Sequence, residues 1–254
     1  ILNFLLYEMK LEELVWIYDK RRAMNDHAWQ CENFTLKKLK IKLKNGISER
    51  FLDVLRTLRS VEVFDVDSQY LNNPSWGELL RFLHYYMPSV RTLIMRNPFY
   101  VKNREISEKE TKLLQVETFI IHGFPKQPEQ RKKFLMCAPN IKKLVIKGTH
   151  WSFFDKLTAG ELKIILKLTN LEELEFRGII EVDEEVLELI KQSKLRCITI
   201  EYQKIKFDQV TAVSEELKAA NERLVVIKQQ VTTANFSDNE LDEVANLFQL
   251  PVQY

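Results

Sequence analysis

The chain has 254 residues, 45% hydrophobic and 29% charged, with 38 Lys and Arg against 36 Asp and Glu for a formal net charge of +2. That composition is ordinary for a globular domain and excludes a disordered tail, and the near-neutral charge gives no overall pull toward nucleic acid or an anionic membrane. No apolar run reaches the roughly 18 residues a membrane helix needs. The three cysteines, Cys31, Cys137 and Cys197, are widely spaced and form no CxxC. A reducing compartment is therefore expected, cytoplasmic or nuclear.

In chain order, the first strand-like phrase is Leu11, Leu14 and Trp16, and Asp19–Cys31 after it makes a poor connecting helix. From residue 36 one phrase recurs: apolar, two others, apolar, one other, apolar. It runs Leu36, Leu39, Ile41; Val61, Phe64, Val66; Val90, Leu93, Met95; Val116, Phe119, Ile121. It continues Ile141, Leu144, Ile146; Leu171, Leu174, Phe176; Leu195, Ile198, Ile200; and a weaker phrase from Asn221 through Leu224 and Val226. Successive starts are 25, 29, 26, 25, 30, 24 and 26 residues apart. The fourth and sixth positions share one strand face, as an inward-facing pair must. Between the phrases lie segments with helical apolar spacing: 48–58, 76–87, 108–114, 129–136, 161–168, 183–190 and 208–218. Asp183 is placed to cap one of these helices, Pro88 and Pro139 to end others, and Gly123, Gly148 and Gly178 to form tight corners at the eighth position.

This phrase resembles the leucine-rich repeat, whose period is about 20–29 residues. The resemblance implies an α/β solenoid, a horseshoe with a parallel sheet on the concave face and helices on the convex face, over residues 36–254. The ninth position, often Asn or Cys in that family, is variable here, which is similar to the irregular intracellular repeats. Residues 1–35 are expected to be an F-box remnant, a helical cap, or one further repeat, since Leu11 lies 25 residues before Leu36. Ile1, Leu2, Phe4 and Leu5, then Leu11 and Leu14, then Tyr18 to Arg22 and Trp29, resemble the second half of an F-box. In that family the F-box binds a Skp-type adaptor of a cullin ubiquitin ligase, so the resemblance implies adaptor-binding roles for Leu11 and Leu14.

Motifs that carry chemistry are absent: there is no GxGxxG, Walker loop, HExxH or GxSxG, and His27, His84, His122 and His150 are scattered. No catalytic residue, metal or cofactor is expected. Function is instead expected at the positions that leave the sheet face, the third, fifth and seventh of each phrase. There Ile94, Ile120 and Val145 stack across three strands, with Arg96, His122, Lys143 and Lys147 at their margins. An apolar strip with a basic rim suits a polypeptide carrying hydrophobic and acidic or phosphorylated residues. Trp151, on the insertion 148–160, is counted with them as a contact, whereas Phe153 and Phe154 are expected to tuck under their own loop.

The expected function follows from these residues together with the F-box resemblance. It is the substrate-recognition subunit of a cullin-type ubiquitin ligase, holding a protein substrate on the concave face. The alternative is a stand-alone interaction scaffold with no ubiquitin link. Either form is expected to be a monomer outside its complex, with no enzyme activity and no nucleic-acid or membrane partner.

Overall fold

The computed structural model describes residues 11–19, 35–44, 49–70, 76–96, 112–122, 132, 135–147, 156–202 and 207–230. These build an α/β architecture on a nine-stranded parallel sheet. Its strands are β1 (Glu13–Asp19), β2 (Lys38–Lys44), β3 (Val63–Tyr70), β4 (Thr92–Arg96), β5 (Thr118–His122) and β6 (Lys143–Lys147), followed by β8 (Glu173–Arg177), β10 (Cys197–Tyr202) and β11 (Val225–Gln230). The strands stand side by side in sequence order. The short strands β7 (Lys156–Leu157) and β9 (Ile179–Ile180) pair as a separate two-stranded parallel sheet.

Equivalent phrase positions are hydrogen-bonded neighbours. Leu14 pairs with Leu39, Leu39 with Phe64, Phe64 with Leu93, Leu93 with Phe119, Phe119 with Leu144, and Leu144 with Leu174. The recurring fourth-position side chain becomes a continuous row in the core. Burial on one face and alternation on the other fix this register, because a one-residue slip would turn each buried residue outward.

Helices α1 (Glu49–Arg56), α2 (Trp76–Tyr86), α3 (Ala159–Leu166), α4 (Glu184–Gln192) and α5 (Phe207–Ala220) lie between the strands in sequence. Their inward residues, including Phe51, Leu83, Leu162, Ile190 and Leu217, join the strand residues in one core cluster. Asp183 caps α4, accepting from the Val186 N–H at 2.9 Å. Thr158 and Glu161 close a reciprocal capping box on α3. Gly178 follows β8 with φ 137°, a conformation a side chain strains, so the corner there requires glycine. The same role expected for Gly123 and Gly148 lies outside the described residues.

A ladder of backbone bonds links the repeats at their corners. From Glu12 to Glu172 the second-position carbonyl accepts two N–H groups from the next phrase: Glu12 O takes Lys37 N and Lys38 N, and Lys37 O takes Glu62 N and Val63 N. The same double acceptance recurs at Glu62, Arg91, Glu117, Lys142 and Glu172. The residues on these rungs alternate in sign from Glu12 to Arg196, and the side chains pair along them. Lys37 meets Glu62 at 2.9 Å, Lys142 meets Glu117 at 3.0 Å, and Arg196 lies 3.9 Å from Glu172.

Three expectations need correction. Residues 13–19 form a strand paired with β2 where a helix was one expectation, so the sheet begins before residue 36, as the further-repeat reading has it; residues 1–10 and 20–34 lie outside the described residues. The alternating burial of Leu14 and Trp16, with the Trp16 ring tilted against Phe51 at 5.3 Å, is what favours a strand there. Residues 112–115 are not helical. The Leu113 N–H bonds to the Cys137 carbonyl of the next repeat at 2.6 Å rather than up its own helix, while its side chain still fills the core. The last phrase is displaced by two residues: Ile198 pairs with Val226, not Leu224, and the sixth position becomes the exposed Lys228. A shift of two preserves which face each residue occupies, so the alternation hid it.

Candidate functional site: the open sheet face

Third-, fifth- and seventh-position side chains leave the sheet on the face opposite the core. The strand register brings Ile94 beside Ile120 and Ile120 beside Val145, and at the next outward position Arg96 beside His122 and His122 beside Lys147. Adjacent parallel strands lie about 4.8 Å apart, so each row spans roughly 10 Å across three strands. Ile94 and Ile120 are half-buried, but Val145 is only 3% exposed. The strip's contact surface therefore comes from the two isoleucines, and Val145 serves as its floor.

The cations are not waiting for an external acid. Arg96 grips Asp65 through two nitrogens, Nε at 2.9 Å and 3.2 Å from the two carboxylate oxygens and Nη2 at 3.0 Å. Lys147 lies 2.9 Å from Glu175 and 3.5 Å from Glu201, and the Arg177 Nε donates to Glu201 at 2.6 Å. Lys143 is held by Glu173 at 2.8 Å, and this hydrogen bond raises its ammonium pKa above the ordinary lysine value.

Asp65 and Glu201 point outward from the sheet, yet both side chains are only 6% exposed, lying under their cations. Burial alone would raise the Glu201 carboxyl. The hydrogen bond and charge of Arg177, with the charge of Lys147, outweigh it and leave the group below the ordinary glutamate value. A buried carboxylate stripped of such partners is costly, so these ion pairs lock their cations in place. The two isoleucines thus sit between preorganised charge clusters, Asp65 with Arg96 on one side and Lys147, Glu175, Arg177 and Glu201 on the other. The basic rim expected from the sequence is a near-neutral network, because the acids that balance it come from strands on either side.

Leu11 and Leu14 belong to the first repeat. Leu14 packs on the core from β1, and the Leu11 carbonyl accepts from Thr35 Oγ1 at 3.3 Å. Both residues keep partial exposure in this setting. Trp151 and the loops carrying Phe99, Tyr100, Phe153 and Phe154 lie outside the described residues, as do His27 and His150.

His84 Nδ1 is 2.9 Å from the Lys112 carbonyl, far along the chain from His122 on the open face. Among the described residues no group of three or more His, Cys, Asp or Glu is placed to hold a metal. Burial pushes the Cys137 thiol up to about 12, which leaves it protonated and without nucleophilic character at neutral pH. No helix among the described residues is long and apolar enough to cross a membrane.

Sequence reasoning missed the buried acids as site residues. Their signal was present, since Asp65 and Glu201 occupy outward positions one or two strands from the cations they meet. The alternating rungs at the second position were equally visible, as Glu12, Lys37, Glu62, Arg91, Glu117, Lys142, Glu172 and Arg196. A scan against protein-family models and a search of curated proteins found no match to this chain.

Proposed function

We propose that the chain is a leucine-rich-repeat horseshoe that binds a protein partner on its open, concave face, centred on Ile94 and Ile120. The observation that supports this reading is the register itself. It stacks half-buried apolar residues on adjacent strands and fences them with charged side chains already fixed by their own ion pairs. Apolar contact at the centre and preorganised polar groups around it are what a protein interface uses for affinity and for orientation. Because the network is balanced, the partner fits as a mixed surface or segment, an apolar residue seated over Ile94 and Ile120 with both signs of charge beside it. A strongly acidic ligand is not required.

The experiment compares wild type with Ile94→Ser and Ile120→Ser together in quantitative affinity purification from the native source, with Glu184→Ser on an exposed helix end as control. Loss of the same partners in the double variant but not in the control supports the open face. Partners retained by the double variant refute it.

The ubiquitin-ligase form of this reading, with the open face as substrate receptor for a cullin ligase, rests on the F-box resemblance. In that form the partly exposed Leu11 and Leu14 are the proposed adaptor contacts. Co-purification of a Skp-type adaptor with the full-length protein supports that form, and its absence leaves the stand-alone scaffold.

A further inference from the structure

The ladder of second positions forms a row of its own at the ends where the strands begin. Its backbone bonds stack one charged residue ahead of each strand, from Glu12 before β1 to Arg196 before β10. Neighbouring strands lie about 4.8 Å apart, so the row is about 34 Å long. From Thr35 to Asn170 the residue before each phrase is uncharged, so among the described residues the ladder sets the charge pattern along this end of the sheet. Lateral pairs hold the ladder side chains in line without burying them. Lys37 and Glu62 stay 51% and 53% exposed, and Lys142 and Glu117 stay 55% and 47% exposed. Each keeps an outer side that a second row of charges can meet.

The eight rungs alternate, starting acidic at Glu12 and ending basic at Arg196. Read backwards, the row therefore carries the opposite sign at every place. Against a reversed copy of itself, Glu12 faces Arg196, Lys37 faces Glu172, Glu62 faces Lys142 and Arg91 faces Glu117. A slip of one rung makes every contact like-signed. So does a second copy set against the first in the same order. All rungs are matched when two copies meet across a two-fold axis along the sheet normal, passing between β4 and β5. We infer that the chain forms an isologous homodimer through this row, in place of the monomer expected from the sequence.

The occupant is a second copy because the pattern complements its own reverse. A partner of one sign would meet an unlike charge at every second rung only. The contact is narrow and polar, which places it with weak, transient interfaces. Exposed pairs contribute little singly, but a row of them in one register acts as a network, and like-signed alternatives are repelled. Rotation about the sheet normal leaves that normal unchanged, so the open faces of both copies look the same way. Ile94 and Ile120 are then presented twice on one side, and a partner carrying two recognised surfaces gains avidity. That consequence rests on the proposed function, whereas the dimer does not.

The test is sedimentation velocity of the whole chain over a range of concentrations. The expected result is a reversible monomer–dimer equilibrium that moves to monomer as salt rises from about 0.05 to about 0.5 M, because salt screens exposed charges. Lys142→Glu places two like-signed contacts in the dimer and weakens it about tenfold. Glu12→Arg and Arg196→Glu each weaken it, and the two together restore it. Within one chain these residues stand at opposite ends of the row, so rescue arises only between copies. Ile94→Ser combined with Ile120→Ser leaves association unchanged, which separates this result from the open-face reading. Circular dichroism checks that each variant is folded. A chain that stays monomeric in low salt overturns the proposal, whether the ladder then binds another protein or nothing. A dimer indifferent to these reversals overturns it as well. So do species larger than the dimer, which signal end-to-end pairing of β1 with β11.

Discussion

Replacing Leu144 by Ala tests whether the repeats share one core. Leu144 is fully buried on β6, with Phe119 on one side and Leu174 on the other in the same row. The change removes three carbon atoms, which at about 0.8 kcal/mol per buried methylene is about 2.4 kcal/mol of transfer free energy. The cavity adds to this, because strands bonded on both sides hold the neighbours and oppose collapse. A total near 4 kcal/mol is expected, in the upper part of the roughly 2–5 kcal/mol range for such changes. Leu14 holds the same position on the edge strand β1 but is only partly buried, with a neighbour row on one side. Leu14→Ala is expected to cost less than half as much. Urea unfolding of both variants, with midpoints and slopes compared, decides the matter. A reduced slope for Leu144→Ala signals that the array has split into separately melting parts. Equal costs, or a Leu144→Ala cost under about 1 kcal/mol, would contradict a shared row and the packing argued from it.

The remaining expectations concern charge. Glu201 is held below the ordinary glutamate value, so its contribution to stability is present above about pH 4.3 and is lost as pH falls through the lower folded value. Glu201→Gln should destabilise by about 3 kcal/mol at neutral pH, the low end for a buried pair stripped of one partner. Acid titration monitored by circular dichroism should show that deficit shrinking below about pH 4, and a constant deficit would reject the assignment. Lys142→Glu should cost under about 1 kcal/mol, as exposed pairs do, and the cost should shrink in high salt. Adding Glu117→Lys should not fully restore stability, because the reversed pair then meets Arg91 and Glu172 with like charge. Full restoration in a double-mutant cycle would show an isolated pair and no ladder.

How much of this was readable beforehand depends on the physical signal. Burial writes itself into spacing, so the row from Leu39 through Ile198 and the alignment of Ile94, Ile120 and Val145 followed from the phrase alone. Alternation reports a face and not a register, which is why the last phrase was placed two residues early. The stretch from Leu11 to Trp16 fits both a strand and an apolar helix spacing, and only pairing with Lys38–Lys44 distinguishes them. The balance of the rim was hidden for a different reason. Arg96 and Asp65 are 31 residues apart in sequence, and strand-by-strand reading does not add charges across strands. Val145 looked exposed because its parity is outward, yet parity fixes direction and not how crowded that side is.

The alternating rungs have a consequence for how such a chain can change length. Excision of a single repeat, from Lys142 to the residue before Glu172, would bring Glu117 against Glu172 and join two rungs of the same sign. Excision of two neighbouring repeats leaves every junction between opposite charges. Like charges facing each other across strands cost a few tenths to about 1 kcal/mol, a small sum beside a whole core but one that recurs at every mismatched junction. Lengthening or shortening this array in pairs carries no such penalty, so its natural unit of growth is a doublet of repeats rather than the repeat itself.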